Sequence, residues 1–195
     1  MTALDRFLDA CAVEIERRLP VATEFADALA SGHAAFVEAL ASSEPVEGER
    51  NRVPVADWMG HAATSPETPS SLMAPSSLMA MAIEADPELS WVASSRLETD
   101  DGSEAGLAPL NDVRDLGGTI CGLMLLRPHG TYPLHSHPPQ ELYLPITGDG
   151  RWRYGGSQEF RSLAPDALVY NNPGDLHSVV AGTAPLLALY VLWGS

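Results

Sequence analysis

The second half of the chain consists of short apolar segments separated by turn-forming residues, and this feature constrains the fold most. From about Trp91, segments such as GTICGLMLL, QELYLPIT, HSVVAG and LLALYVLWG are rich in β-branched, aromatic and aliphatic residues. Gly, Pro, Asn and Asp separate these segments at close intervals. Short strands at this spacing are typical of an antiparallel β-sandwich or β-barrel. We therefore expect residues 91–195 to form a β-barrel.

The first part of the chain has the periodicity of helices. The segment ALDRFLDACAVEIERRL places an apolar side chain at every third or fourth position, and Pro20 ends or kinks this pattern. Two further short helices, within VATEFADALA and HAAFVEALASS, are expected on either side of Ser31-Gly32. A tandem hexapeptide, PSSLMA at 69–74 and 75–80, predicts a loop or a helix extension. The sequence thus predicts a helical region over residues 1–90 that packs on the barrel.

Charge and composition exclude several classes of function. The formal net charge of −15 argues against nucleic acid or an anionic membrane as a partner, because both are bound through basic surfaces. All 11 basic residues are arginine, so a lysine Schiff base and a P-loop lysine are excluded. The N-terminal segment carries Asp5, Arg6 and Asp9 among its apolar residues, which indicates an amphipathic helix and not a signal peptide. We therefore expect a cytoplasmic protein, either a monomer or a homodimer, that acts on a small molecule.

Polar side chains are concentrated in YPLHSHPPQELYLPITG, residues 132–148. His135 and His137 are two residues apart, so on a strand they point to the same face. Glu141 and Tyr143 share one face of the next segment for the same reason. If the two segments pair as neighbouring antiparallel strands, all four side chains converge across the pair.

The same alternation places Leu142 and Leu144 on the opposite face, where we expect the N-terminal helices to cover them. Another imidazole, His177, follows a predicted turn at Pro173-Gly174. Two or three imidazoles with one carboxylate suit a divalent transition metal: imidazole favours Zn, Fe, Ni and Cu, and the carboxylate admits Fe(II) or Mn(II). The alternative is that these polar residues lie on a solvated hairpin without a metal.

The motif HSHPPQELYLPITG, followed by PGDLH, resembles the two motifs of the cupin superfamily, which run G…HxHxxxE…G and PxGxxH. This resemblance implies a jelly-roll β-barrel with a metal ion inside it. The chain departs from the pattern after the second motif, where Ala181 replaces a frequent asparagine.

The tyrosines give a narrower resemblance. Tyr132 precedes HxHPPxE and Tyr143 follows the glutamate by two residues, which is similar to the cupin-type dimethylsulfoniopropionate (DMSP) lyases of the DddQ group. The resemblance implies four ligands for Fe(II), Zn(II) or Mn(II), namely His137, Glu141, Tyr143 and His177. It also implies that His135 lies near the site and joins or supports the metal shell, and that Tyr132 lies at the pocket.

The implied reaction is a β-elimination that converts DMSP to dimethyl sulfide and acrylate. The metal would bind the substrate carboxylate, and Tyr143 would act as the general base that removes the proton α to it. Aromatic faces bind a sulfonium group well, although aromatic residues in short strands more often belong to the core. The candidates for this contact are Tyr132, Trp152, Tyr154, Tyr190 and Trp193. Of these we predict Tyr132 and Trp193, together with His135, as substrate-binding residues. Tyr132 is also predicted to be a catalytic residue beside Tyr143.

Other functions compete with elimination. A cupin dioxygenase with Fe(II) at the same ligands would consume oxygen and would leave Tyr143 without an obvious task. A non-catalytic module that binds a metal or a small molecule would show binding without turnover. A sugar isomerase or epimerase fits poorly, since its pocket is expected to be richer in Arg and Lys.

Overall fold

Helices occupy the first half of the chain. The computed structural model describes residues 1–22, 24–62, 73–94, 96, 101–164 and 166–194. The four α-helices are α1 (Ala3–Arg18), α2 (Ala26–Ala41), α3 (Met59–Ala62) and α4 (Met73–Ala85). Short 3-10 helices span Leu19–Val21, Pro54–Trp58, Asp86–Glu88 and Leu110–Asp112. No helix in these ranges is long and apolar enough to cross a membrane.

Helix α1 confirms the prediction from periodicity. It begins at a capping box: the Thr2 side chain accepts a hydrogen bond from the Asp5 backbone N–H, and the Asp5 side chain accepts one from the Thr2 backbone N–H. Two N–H groups that have no partner within the helix are thereby satisfied. The α-helix gives way to a 3-10 turn that contains Pro20. The second PSSLMA copy lies within α4, as a helix extension would, whereas residues 69–72 of the first copy lie outside the described residues.

The prediction of two short helices around Ser31-Gly32 is wrong, because α2 continues through both residues. Gly32 lies against the indole ring of Trp193, and a Cβ at this position would stand only 2.6 Å from Trp193 Cη2. The glycine therefore serves close packing of helix on barrel and does not end a helix.

The strands form two main antiparallel sheets and one short ribbon. The six-stranded sheet has the order β10-β7-β12-β5-β3-β2, the four-stranded sheet has the order β6-β11-β8-β9, and β1 pairs with β4. The strands are β1 (Glu44–Pro45), β2 (Val92–Ala93), β3 (Ala105–Pro109), β4 (Arg114–Asp115), β5 (Ile120–Leu126), β6 (Thr131–His135), β7 (Gln140–Thr147), β8 (Gly150–Arg153), β9 (Arg161–Ser162), β10 (Val169–Asn171), β11 (His177–Ala181) and β12 (Leu186–Trp193). This is the jelly-roll barrel expected from the sequence.

Strands β6 and β7 do not pair with each other, because they belong to different sheets. Strand β6 pairs with β11, in a register that places His135 opposite His177, and β7 pairs with β10 and β12. Pro138 and Pro139 lie in the connection between them, where the missing backbone N–H groups disfavour a ladder. The polar side chains therefore meet between the two sheets and not across a hairpin.

Two apolar clusters lie on opposite faces of the large sheet. The outer cluster joins α1, α2 and α4 to the barrel, and it contains Leu142 and Leu144, which confirms that the N-terminal helices cover these leucines. The inner cluster fills the space between the sheets. Its buried members are Ala105, Met124, Leu126, Tyr132, Tyr143, Trp152, Val169, Val179, Ala181, Leu186, Ala188 and Tyr190.

Candidate metal and substrate site

Three histidines gather inside the barrel. Each of His135, His137 and His177 offers a ring nitrogen, and these nitrogens lie within 4.8 Å of one another. His135 ends β6 and His177 begins β11, so the pairing of the two strands brings them together. His137 follows two residues after the end of β6, and its side chain is 11% exposed. A group of this kind could hold a divalent metal ion.

The backbone fixes which nitrogen of each ring is available. In each ring, Nδ1 faces a backbone carbonyl oxygen. The distance is 2.9 Å from His135 to Pro133, 3.0 Å from His137 to Pro139, and 2.8 Å from His177 to Asp175. A carbonyl oxygen can only accept a hydrogen bond, so Nδ1 carries the proton in all three rings. Nε2 of each neutral ring therefore holds a lone pair, which is the arrangement that metal-ligating histidines commonly show.

Glu141 lies opposite two of these nitrogens. One carboxylate oxygen, Oε2, is 3.2 Å from His137 Nε2 and 3.1 Å from His177 Nε2, and both nitrogens are buried without a hydrogen-bond partner. Two ligand atoms at about 2.1 Å from one ion, at a right angle, are about 3.0 Å apart. Because lone pairs facing a carboxylate repel it, a cation between them would satisfy all three groups. The residues present thus fit a divalent metal.

The pKa shifts show that the pocket favours positive charge beside Glu141. Burial alone would raise the pKa of Glu141, but protons shared with the imidazoles of His137 and His177 lower it to about 2 when no metal is bound. Burial lowers the pKa of His137, but Glu141 outweighs this effect and raises it. A cation in place of those protons would act on Glu141 in the same direction. Burial and the neighbouring His177 lower the pKa of His135 to about 4. At neutral pH the carboxylate is charged and the His135 ring is neutral, which are the forms that ligate a metal.

Tyr143 is buried beside this cluster. Strand alternation puts it on the same face of β7 as Glu141, close enough for the two groups to interact electrostatically. Burial and the Glu141 charge raise the pKa of Tyr143 well above its usual range. The surrounding protein therefore favours the neutral phenol, and only a nearby positive charge would favour phenolate.

A small cavity of about 10 Å³ lies beside the cluster. Aromatic rings form much of its wall; the ring centroid of Tyr143 lies 5.3 Å from that of Trp152 and 6.4 Å from that of Tyr190. The residues that line the cavity are Tyr132, His135, Tyr143, Trp152, Arg153, Tyr154, Asn171, His177, Ser178 and Val179. Tyr132, Trp152 and Tyr154 therefore lie where a small cationic ligand would meet aromatic faces.

The structure does not bring Trp193 to this cavity. Its ring belongs to the outer cluster, where it packs on Gly32 and lies 6.1 Å from the Tyr170 ring. Tyr190 of the same strand belongs to the inner cluster. The prediction that Trp193 binds substrate is thus corrected: it is one of the residues that join the barrel to the helices.

Three residues near the site lie outside the two sequence motifs. Asn171 is fully buried, and its Nδ2 donates to Glu141 Oε2 at 3.0 Å. Burial raises the pKa of Tyr132, whereas hydrogen bonds with the side chains of Ser94 and Arg96 oppose that change. Ser94 and Arg96 come from a segment some 40 residues before the first motif, so only the folded chain shows the contact.

Comparisons with known proteins agree with the fold. The crystal structure of the DMSP lyase DddQ from Ruegeria pomeroyi DSS-3 matches with a TM-score of 0.69 at 22% identity, over 93% of this chain and 92% of that chain. A structure described under the DMSP lyases RdDddP and RnDddQII matches with a TM-score of 0.66 at 18% identity, over 84% of this chain and 94% of that chain. No match was found among curated proteins. At these identities the structural matches establish a shared fold.

The family itself is established by the sequence. The family model for dimethylsulfoniopropionate lyase matches residues 35–188, which include the histidine cluster, Glu141 and Tyr143. The match covers most of the chain, from within α2 to within β12. Together with the barrel and its three inward-facing histidines, it identifies the chain as a member of the DMSP lyase family.

Proposed function

We propose that this protein is a metal-dependent lyase that eliminates dimethyl sulfide from DMSP and releases acrylate. The observation that carries the proposal is the position of Tyr143, a buried phenol on the same face of β7 as Glu141 that lines the same cavity as His135 and His177. Membership of the DMSP lyase family supports the assignment of DMSP as the substrate. The aromatic wall supports it too, because a dimethylsulfonium group is a soft cation that binds to aromatic faces.

His137, Glu141, Tyr143 and His177 would hold the metal, with His135 joining or supporting them. When bound, the divalent ion would stabilise the negative charge that develops on the substrate carboxylate and favour the phenolate form of Tyr143. The unpartnered Nε2 atoms of His137 and His177 support this assignment.

The chain's own residues then account for the reaction. Tyr132, Trp152 and Tyr154 would surround the sulfonium group and orient it, and the buried surroundings would exclude water. The phenolate oxygen of Tyr143 takes the proton from the carbon α to the carboxylate. The electron pair of that C–H bond forms the Cα–Cβ double bond, while the C–S pair leaves with neutral dimethyl sulfide. Tyr143 then returns the proton to solvent, which restores the starting state.

The decisive experiment supplies the metal and the substrate directly. Purified protein is loaded in turn with Fe(II), Mn(II) and Zn(II), mixed with DMSP, and assayed for dimethyl sulfide and acrylate. We expect both products in equal amounts with at least one ion. His177→Ala should be inactive, and His33→Ala should keep activity, because His33 lies in α2 and bonds the Ala12 carbonyl. Absence of product with every ion would overturn the proposal, and oxygen consumption would point to a dioxygenase instead.

A further inference from the structure

Asn171 is the best-defined contact of the site that the reaction scheme leaves unused. It lies at the end of β10, directly opposite Glu141 in the register with β7, and it is fully buried. Its Nδ2 donates to Glu141 Oε2 at 3.0 Å, and its Oδ1 accepts a hydrogen bond from the Gly155 backbone N–H at 3.2 Å. Both ends of the amide are therefore occupied inside the barrel.

The Gly155 contact determines which way the amide points. A backbone N–H can only donate, so the atom facing Gly155 must be the carbonyl oxygen of the side chain. The amino group then faces Glu141 and cannot exchange places with the oxygen without losing both bonds. Gly155 has a φ of +58°, in the left-handed region that favours glycine, which places its N–H in a tight turn. The turn thus fixes the orientation of a donor that points at Glu141.

The donor contacts the same oxygen that faces the two histidines. Oε2 of Glu141 lies 3.2 Å from His137 Nε2 and 3.1 Å from His177 Nε2, and Asn171 Nδ2 approaches it from β10. A hydrogen bond from one side occupies one lone pair of the oxygen and leaves another directed toward the imidazoles. The bond also favours the charged form of the carboxylate. Glu141 is otherwise a long side chain with three rotatable bonds, so a fixed donor would restrict its freedom.

We propose that Asn171 is a positioning residue that holds Glu141 in its metal-ligating orientation and sets the affinity of the site for a divalent ion. The inference rests on the metal site of the proposed function. Outer contacts of this kind typically change metal affinity or activity by a factor of about 10 to 100 when they are removed.

Two substitutions separate positioning from packing. Asn171→Asp keeps an oxygen that accepts from Gly155 but replaces the donor facing Glu141 with an acceptor. Asn171→Leu has similar volume and removes both bonds. Asn111 provides a matched control: its Nδ2 donates to the Thr119 carbonyl at 2.9 Å and its Oδ1 accepts from the Cys121 N–H at 3.1 Å, away from the site. Asn111→Asp therefore makes the same chemical change in another bridging amide.

The measurement is the dissociation constant for Mn(II) and Zn(II), from competition with a chelator, together with the thermal unfolding of the metal-free proteins. We expect both Asn171 variants to bind each ion about 10 to 100 times more weakly than wild type, and Asn111→Asp to bind as wild type. Wild-type affinity in either Asn171 variant, or an equal loss in Asn111→Asp, would overturn the positioning role. Wild-type protein that binds neither ion would instead refute the metal site, so the two failures are distinguishable.

Discussion

Successive side chains of strands β7 and β12 point to opposite faces of the sheet, and the two faces differ in what they contact. On the outer face, Leu142 and Leu144 are fully buried under the N-terminal helices in one large apolar cluster. On the inner face, Glu141 contacts His137 and His177, and Tyr143 lines the cavity beside them. The outer face therefore stabilises the fold, and the inner face holds the residues of the candidate site.

This division means that stability and activity should respond to different substitutions on the same strand. Since successive side chains point to opposite faces, a shift of one residue in register would exchange the two sets. The helical layer favours the observed register, because a shift of one residue would bury the Glu141 carboxylate in the apolar outer cluster. Substitutions on the outer face should change stability and leave activity intact, and substitutions on the inner face should do the reverse.

Removal of the metal should have the largest effect. Dialysis against a strong chelator should abolish dimethyl sulfide formation, and a divalent ion added back should restore it. The helical signal in far-ultraviolet circular dichroism should persist, because the outer cluster does not include the histidines. Activity that survives chelation, or collapse of the helices on chelation, would show that the faces are not independent.

Replacement of the base comes next. Tyr143→Phe should lower kcat by a factor of about 10² to 10⁴, the usual contribution of a general base, because the ring remains while the proton acceptor is lost. Metal affinity should stay largely intact. Tyr170→Phe serves as the control, because it removes a phenol hydroxyl that donates to Gln140 on the outer side of the sheet. A Tyr143→Phe enzyme with nearly full activity would refute the role of the phenol.

The outer face should show the reverse pattern. Leu142→Ala should lower the free energy of unfolding by about 2–5 kcal/mol, because it leaves a cavity in a fully buried apolar cluster. The value of kcat should remain near that of wild type at temperatures where the variant is folded. Val13→Ala, at an exposed position of α1, should change stability by less than about 0.5 kcal/mol. Urea unfolding and steady-state kinetics measure the two quantities.

Acid should weaken the attachment of α1 to the barrel. Burial alone would raise the pKa of Glu14, but hydrogen bonds from Arg17 and Arg18 hold it below its usual value, and Arg18 Nη1 also donates to the Pro145 carbonyl of β7 at 3.1 Å. A lowered pKa stabilises the fold above the unfolded value of about 4.3. That contribution is lost as the pH falls through the folded pKa. The stability of Glu14→Gln should therefore fall less between pH 5 and pH 3 than that of wild type.

The smallest effect on turnover is expected at Trp193. Trp193→Phe should leave the KM for DMSP unchanged and slightly lower the unfolding temperature, because this ring packs on Gly32. Tyr190→Phe, on the inner face of the same strand, is the matching variant. A raised KM in Trp193→Phe alone would contradict the placement of the ring on the outer face.

Sequence patterns predicted side-chain direction well and strand pairing poorly. A period of two correctly separated Leu142 from Glu141, because that separation depends only on neighbouring residues. It could not show that β6 and β7 lie in different sheets, since pairing depends on contacts such as that of His135 with His177, which are distant in sequence. The histidine cluster was found because its members share one residue type.

Residues that act through distant contacts were missed or misplaced. Gly32 looked like a helix end because glycine is common there, but its small size serves the Trp193 contact. Asn171 carries no motif, and its importance depends on Glu141, which is 30 residues away in the chain. Such roles follow from tertiary packing, which local spacing does not encode.

The hydrogen bonds from Nδ1 have a consequence for redesign of the site. His135, His137 and His177 each donate to a carbonyl only two residues away, so all three rings present Nε2 to the barrel interior. Nε2 lies as far from Cα as the terminal amide of glutamine, whereas asparagine reaches only as far as Nδ1. Glutamine is therefore the neutral substitute whose oxygen could occupy the same ligand position. Asparagine would leave the ligand position at Nε2 empty. The choice between glutamine and asparagine would therefore change the number of ligands to a metal without moving the backbone.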